Sequence, residues 1–202
     1  FFVSNHFFCS LDVNDLMACW TKEHQKIEDP YLYQDMKTAS IDGKWNCYLN
    51  NNNDFRCSYY QDYEVEAPKD LGVITKIFSN QRAICVLNDR KEATCWYVNL
   101  QNLKYYSQVK RYKDVVGVGF ADLDSPYFNM IANQYCILHG SGDVECDYDI
   151  KNEVMGKTFL VSPPKNLPKL KYLTGRAQIN CGIDEQDQII CWNSKGNISI
   201  KN

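Results

Sequence analysis

The sequence predicts an all-β repeat protein built from antiparallel hairpins, each closed by its own disulfide. Three observations carry that reading. The ten cysteines form five pairs of constant spacing, Cys9 and Cys19, Cys47 and Cys57, Cys85 and Cys95, Cys136 and Cys146, Cys181 and Cys191. Two positions inside each pair stand apolar residues, Leu11 and Met17, Leu49 and Phe55, Leu87 and Ala93, Leu138 and Val144, Ile183 and Ile189, in the period-two register of a strand. Midway between the cysteines lie turn formers.

If the two cysteines of a pair stand opposite each other, the apolar positions pair on the same face and the turn falls on the middle three residues. These read Val13-Asn14-Asp15, Asn51-Asn52-Asn53, Asp89-Arg90-Lys91, Gly140-Ser141-Gly142 and Glu185-Gln186-Asp187. Asn, Asp and Gly tolerate the left-handed backbone such turns use; Lys91 is the least suited of the set. Opposed strand residues have Cα atoms about 4.5 to 5.5 Å apart, within reach of a disulfide. The same spacing in five copies therefore selects five local bridges, each closing a loop short enough to contribute under ~3 kcal/mol. Metal-binding thiols are the competing reading, but there is no Cys-x-x-Cys and no histidine at ligand spacing.

First cysteines at 9, 47, 85, 136 and 181 are separated by 38, 38, 51 and 45 residues, a period found in propeller blades and other arrays. Upstream of the first cysteines an apolar pair recurs: Met36 and Ala39, Ile74 and Ile77, Leu170 and Leu173. Repeat one is cut short, retaining only Phe1. Repeat four fits with Val115 and Val118 if Gly119 to Asn129 is an insertion, which also accounts for most of the long spacing. Each unit is thus an upstream strand, a link, the stapled hairpin and a polar, Tyr-rich connection. Trp20, Trp96 and Trp192 follow the second cysteine in three repeats, and Ser58 and Asp147 hold that place in the others; such an aromatic is expected to pack between neighbouring units. None of Pro163, Pro164 and Pro168 can donate to a ladder, and they mark an exposed link. No linker interrupts the chain, so residues 1–202 are expected to be one repeat domain.

Ile74, Ile77, Cys85, Leu87, Cys95 and Trp96, with Leu170, Leu173, Cys181, Ile183, Cys191 and Trp192, resemble the repeat of the regulator-of-chromosome-condensation propellers and the related beta-lactamase inhibitor protein II, especially their secreted, cysteine-paired versions. The resemblance covers nearly the whole chain. It departs from the family in largely lacking the Gly after Cys-Trp, the Asp-Gly turn and the His before the first cysteine. It implies one four-stranded blade per repeat, hence a five-bladed β-propeller.

Of 202 residues, 45% are hydrophobic and 23% charged, an ordinary globular balance. The net charge of -3 with scattered Lys and Arg offers no basic stripe for nucleic acid or an anionic membrane, and no apolar run is long enough for a membrane span. Five structural disulfides require an oxidising compartment, so the protein is expected to be secreted or at the cell surface. Phe1 to Phe8 lacks a charged leader and reads as a mature N-terminus.

Chemistry is sparse. His6, His24 and His139 have no second histidine at ligand spacing, and there is no Gly-x-Ser-x-Gly elbow. Gly156-Lys157-Thr158 has Lys151 where a phosphate loop needs Gly, and Gly117-Val118-Gly119 has Asp122 in its third place. Asp122 and Asp124 beside Ser125 could hold calcium, but a solvated loop explains them without an EF-hand pattern. No catalytic, cofactor or metal site is therefore assigned. Asn197-Ile198-Ser199 is a glycosylation sequon.

Taken together, these readings point to an extracellular non-enzymatic module that binds proteins, including copies of itself head to tail in an assembly or fibril. A carbohydrate-binding, lectin-like propeller is the alternative. It requires equivalent polar and aromatic residues in every repeat, whereas the connections differ in length and content. The terminal segments, with Phe1, Phe2 and Val3 at one end and Ile198 and Ile200 at the other, are the candidate interface, since the first repeat lacks a full upstream strand and the tail forms a short alternating strand. The tail is expected to pair with the first repeat or with the next molecule. Peptide mapping without reduction should recover only the five local cysteine pairs; one dominant long-range bridge would refute the hairpin arrangement.

Overall fold

A computed structural model of the chain describes residues 2–3, 7–11, 17–21, 36–42, 45–59, 63–80, 83–98, 106–124, 131–148, 163–176, 179–193 and 198–201. Among these residues every regular element is a strand, and the strands form five antiparallel sheets, one for each repeat. The first contains β1 (Phe2–Val3), β2 (Phe7–Leu11) and β3 (Met17–Thr21). The second contains β4 (Met36–Asp42), β5 (Trp45–Asn50), β6 (Phe55–Tyr59) and β7 (Tyr63–Glu64). The third contains β8 (Ile74–Ser79), β9 (Ala83–Asn88), β10 (Ala93–Val98) and β11 (Tyr106–Tyr112). The fourth contains β12 (Val115–Asp124), β13 (Ile131–His139) and β14 (Val144–Tyr148). The fifth contains β15 (Leu170–Arg176), β16 (Ile179–Asp184), β17 (Ile189–Asn193) and β18 (Ile198–Lys201). Within each sheet the strands lie in chain order. The chain packs as two compact units, Phe1–Asp89 with Thr94–Val109, and Arg90–Ala93 with Lys110–Asn202.

Cysteines stand directly opposite each other in the ladders Cys9↔Cys19, Cys47↔Cys57, Cys136↔Cys146 and Cys181↔Cys191. Disulfides join Cys47–Cys57, Cys85–Cys95, Cys136–Cys146 and Cys181–Cys191, with Cα atoms 4.0 to 4.1 Å apart. That separation belongs to the narrow, non-hydrogen-bonded type of antiparallel pair. The side chains of Cys9 and Cys19 lie outside the described residues.

The upstream apolar pair has a backbone explanation. Residues three apart on a plain strand face opposite ways, yet Ile74 and Ile77 are both buried, as are Val115 and Val118, and Leu170 and Leu173. A register shift between Ile74 and Lys76 inserts one extra residue, and the same shift recurs at Met36/Thr38, Val115/Gly117 and Leu170/Tyr172. This is a β-bulge at one repeat position, and it turns both members of the pair to the same face.

The hairpin turns share a second device. Asn53, Lys91, Gly142 and Asp187, all at the third loop position, adopt positive φ of 63°, 58°, 83° and 63°. In three of them the residue's N–H donates to the carbonyl three residues earlier: Asn53 to Asn50 at 3.0 Å, Gly142 to His139 at 2.9 Å and Asp187 to Asp184 at 3.2 Å. This is the three-residue loop ending in a left-handed bulge. At Gly142 the carbonyl of that residue then accepts from Leu170 N–H of the next sheet at 2.9 Å, and at Lys91 it accepts from Val115 N–H at 2.8 Å. Turn conformation and sheet-to-sheet contact are thus one feature.

Each core lies between consecutive sheets. In one, Cys47, Leu49, Cys57 and Phe55 of the second sheet meet Ile74, Ile77, Ile84, Val86, Trp96 and Val98 of the third. In the other, Cys136, Leu138, Val144 and Cys146 of the fourth meet Leu170, Leu173, Ile190 and Trp192 of the fifth. The cysteine face of one repeat therefore packs on the tryptophan face of the next, and the Trp96 ring meets Phe55 edge-on at 6.1 Å.

Four expectations are corrected. The proposed insertion after Val118 is no loop: Gly119 to Asp124 pairs with Ile131 to Cys136 and lengthens the β12–β13 hairpin. Repeat one has a short upstream strand, in which Phe2 pairs with Cys9 and Val3 with Phe8. The connections supply fourth strands, β7 and β11. The tail, expected to find no partner in its own repeat, pairs with its own fifth hairpin, Ile198 opposite Trp192 and Ile200 opposite Ile190.

A left-handed backbone costs a side chain roughly 1 to 2 kcal/mol, partly offset in a Gly variant by its freer unfolded chain. Lys91→Gly is therefore expected to stabilise the protein by about 0.5 to 1 kcal/mol in denaturant titration. Gly175 should behave oppositely, because a Cβ there would lie 2.4 Å from the Phe120 carbonyl oxygen on β12. Gly175→Ala is expected to destabilise by about 1 to 3 kcal/mol, read as a lower unfolding midpoint.

Candidate functional site

The cysteine face of the fifth sheet differs from its counterparts. β9 and β10 of the third sheet are buried on both faces, whereas β16 alternates between buried and open positions. On the tryptophan face, Ile190 and Trp192 are buried. On the cysteine face, Tyr172, Ile179 and Ile189 are 58%, 49% and 47% exposed, and Cys181, Ile183 and Cys191 are half-buried. The equivalent positions in the second sheet, Cys47, Leu49 and Cys57, are at most 1% exposed. Register places Tyr172 opposite Ile183, and Ile183 opposite Ile189, so three apolar side chains form one row across three strands, with Lys201 at its end opposite Ile189.

A second distinctive feature replaces tryptophan in repeat four. Asp147 occupies the place of Trp96 and Trp192, directly opposite Tyr135. It is 8% exposed, and its carboxylate accepts from Tyr135 Oη at 2.8 Å and from Lys110 Nζ at 2.5 Å. Tyr112 Oη lies 3.0 Å from Tyr135 Oη, with the rings edge to face. An aspartate of this burial is tolerable because it is paired and hydrogen-bonded. The Lys110 ammonium remains partly solvated, so the pair is weaker than a fully buried one. Burial, with smaller contributions from the Asp147 and Glu145 charges, pushes the Tyr112 phenol up to about 12 against the opposing Tyr135 hydrogen bond.

At the turn beside it, His139 Nδ1 lies 3.0 Å from the Lys113 carbonyl and Nε2 lies 3.0 Å from Glu145 Oε1. Both contacts are hydrogen bonds together only when the ring carries two protons. Asp143 bonds Lys169 and Ser141, which hold its carboxyl below the usual carboxylate range.

The sequence-derived candidates fall as follows. Phe2 and Val3 form β1, and Ile198 and Ile200 lie on β18; Phe1, His6, His24, Asn197 and the 156–158 segment lie outside the described residues. Asp122 and Asp124 stand in β12 opposite Asn133 and Ile131, a paired strand rather than the solvated loop expected of them. Among the described residues no group of three His, Cys, Asp or Glu could hold a metal ion. Gly117 sits at the β12 bulge, and Gly119 lies close against Leu173 and Thr174, where it serves packing. The open face was not singled out from sequence, although Tyr172, Ile183 and Ile189 were visible as apolar residues of the last repeat.

No family model matches the sequence, and no curated protein sequence matches it. Solved structures do. Prp20p of Saccharomyces cerevisiae, described with its binding to Gsp1p and histones, superposes with a TM-score of 0.60 at 12% identity, over 94% of this chain and 56% of that one. Human WBSCR16 gives a TM-score of 0.59 at 9% identity, over 95% and 60%. The ectodomain of the Physcomitrella patens receptor kinase CR4 gives 0.56 at 16%, over 95% and 52%. The chain thus spans between half and two thirds of the length of these structures. The fold class is that of the β-propellers, all antiparallel and stapled by disulfides. More particularly, it is the repeat-propeller fold of the regulator-of-chromosome-condensation type.

Tyr112 offers a direct test of burial in this polar network. Its folded value lies above the unfolded one, so between about pH 10 and 12 the unfolded state loses its proton first and stability falls as pH rises. Tyr112→Phe should flatten this fall in urea titrations run across that range. An unchanged slope would show that burial does not hold the phenol neutral.

Proposed function

We propose that this chain is an extracellular, non-enzymatic repeat domain, spanning 1–202, that binds other proteins through the cysteine face of its fifth sheet. The observation that carries the reading is the exposure of Tyr172, Ile179 and Ile189 on the face where the second sheet buries Cys47, Leu49 and Cys57. A contiguous apolar row edged by polar groups is the usual character of a protein-binding patch, and tyrosine is enriched at such interfaces.

The compartment is argued from cysteine chemistry: the four disulfides among the described residues persist where thiols are kept oxidised. In that compartment the Asn197 sequon is a site for a glycan. Two comparisons support the direction of this reading. One similar structure is itself an ectodomain, and another is described with protein partners. Fold alone does not transmit partners, so the specificity of this chain rests on its own surface.

The test is a photo-crosslinking residue placed at Ile189, compared with one at the exposed Thr75, in oxidised protein added to extracellular fluid of its source. Discrete protein adducts from position 189 and none from position 75 are expected. Absence of adducts, or several simple-sugar sites per chain on a glycan array, would overturn the reading in favour of a lectin-like role.

A further inference from the structure

We infer that His139 is a proton-operated clamp, which ties the turn leading from β11 into β12 to the fourth hairpin when its ring carries two protons and releases it when the ring carries one. His139 ends β13. Its Nδ1 lies 3.0 Å from the Lys113 carbonyl oxygen, and its Nε2 lies 3.0 Å from Glu145 Oε1 on β14. A backbone carbonyl and an ionised carboxylate accept hydrogen bonds and have no hydrogen to give. An imidazolium donates to both at once. A neutral ring has one N–H, so whichever partner it keeps, its other nitrogen turns a lone pair toward an oxygen at the same distance, and an attraction becomes a repulsion.

The turn needs holding. Asp114 has a φ of 53°, a left-handed conformation that persists where the surroundings impose it. Two contacts from the fourth hairpin do so: Gly140 N–H donates to the Asp114 carbonyl at 2.7 Å, and the His139 ring reaches the Lys113 carbonyl one residue earlier. A Cβ on residue 140 would lie 2.6 Å from Asp114 Oδ1, so the glycine admits the turn and the histidine fastens it. The charges around the ring come from three elements. Glu145 faces it from β14, Asp143 from the hairpin loop and Asp114 from the turn, its carboxylate against Gly140. The nearby cations, Lys113 and Lys169, are exposed, and Lys169 is engaged with Asp143. Hydrogen bonds from Lys169 and Ser141, then smaller contributions from the charges of Lys169 and His139, hold the Asp143 carboxyl below the usual carboxylate range. Tyr112, next to Lys113, also feels the Glu145 charge, and its phenol, pushed up to about 12, stays neutral wherever histidines titrate. Histidine is the side chain that changes charge between about pH 5 and 8, so the clamp is closed in acid surroundings and its contribution to stability is lost as pH rises.

The experiment compares the full oxidised chain with His139→Gln, a change at a half-buried position, by urea titration and by amide hydrogen exchange at about pH 5.5 and about pH 8. His6 and His24 titrate in both proteins, so the difference between the two isolates position 139. On going from the higher to the lower pH, the unfolding constant of the wild type is expected to fall about three- to tenfold more than that of the variant, the worth of one hydrogen bond. The Gly140 amide, normalised to its intrinsic exchange rate, should be better protected at the lower pH by a similar factor in the wild type alone. Ring nitrogen shifts should show two protonated nitrogens on His139 at the lower pH and one at the higher. An equal pH dependence of stability in the two proteins would assign the effect to other groups and overturn the inference. A ring that titrates while Gly140 protection stays constant would show that the imidazole does not hold the turn, and would overturn it as well.

Discussion

A sheet in a repeat array can bury both faces only between two neighbours, and this constraint organises the molecule. Neither face suffices alone. The cysteine face is flat, apolar and fixed by sulfur, and the tryptophan face supplies the bulk that fills the space above it. In β9 and β10, where the tryptophan face meets the second sheet, every residue of the strand is buried. Apolar transfer at roughly 25 cal/mol per Å² makes that double burial the main stabilising contribution, and the disulfides add a smaller constraint on the unfolded chain. Stability in such arrays is approximately a sum of units and nearest-neighbour contacts.

Two backbone irregularities let successive sheets meet. The bulge in the upstream strand brings two apolar residues three positions apart to the same face, and the left-handed residue in the hairpin loop aims its carbonyl at the next sheet. Both recur at fixed repeat positions. The latter explains why Lys91 is held in a conformation that does not suit it: its carbonyl accepts from Val115 N–H, and that geometry requires the turn, whichever residue occupies it.

Repeat four shows how far the repeat bends before it breaks. With Asp147 in place of the indole, burial is maintained by a network in which Tyr135 is itself fully buried and Tyr112 and Lys110 come from β11. The same repeat carries the longest strands, β12 and β13, and at their base Gly119 and Gly175 allow β12 and β15 to approach backbone to backbone. The polar substitution and the close approach lie in the same region of the chain, where the repeat departs most from its own pattern.

The sequence by itself determined the hairpins, because cysteine spacing and period-two apolar positions are local: offsets along the chain dictate which residues stand opposite, as at Cys181↔Cys191 and Ile183↔Ile189. It also marked Met36, Ile74, Val115 and Leu170 as recurrent, without showing that a bulge makes their spacing of three compatible with a strand. Tertiary structure decided the rest. The tail joined its own sheet because an edge strand pairs with the nearest open ladder, which no offset encodes. Asp122 and Asp124 became strand because pairing with Ile131 and Asn133 satisfies their backbone. Whether a residue of a cysteine face is core or surface is decided by what packs on it, since Leu49 and Ile189 are equally apolar in sequence and only their neighbours in space bury the first and leave the second exposed.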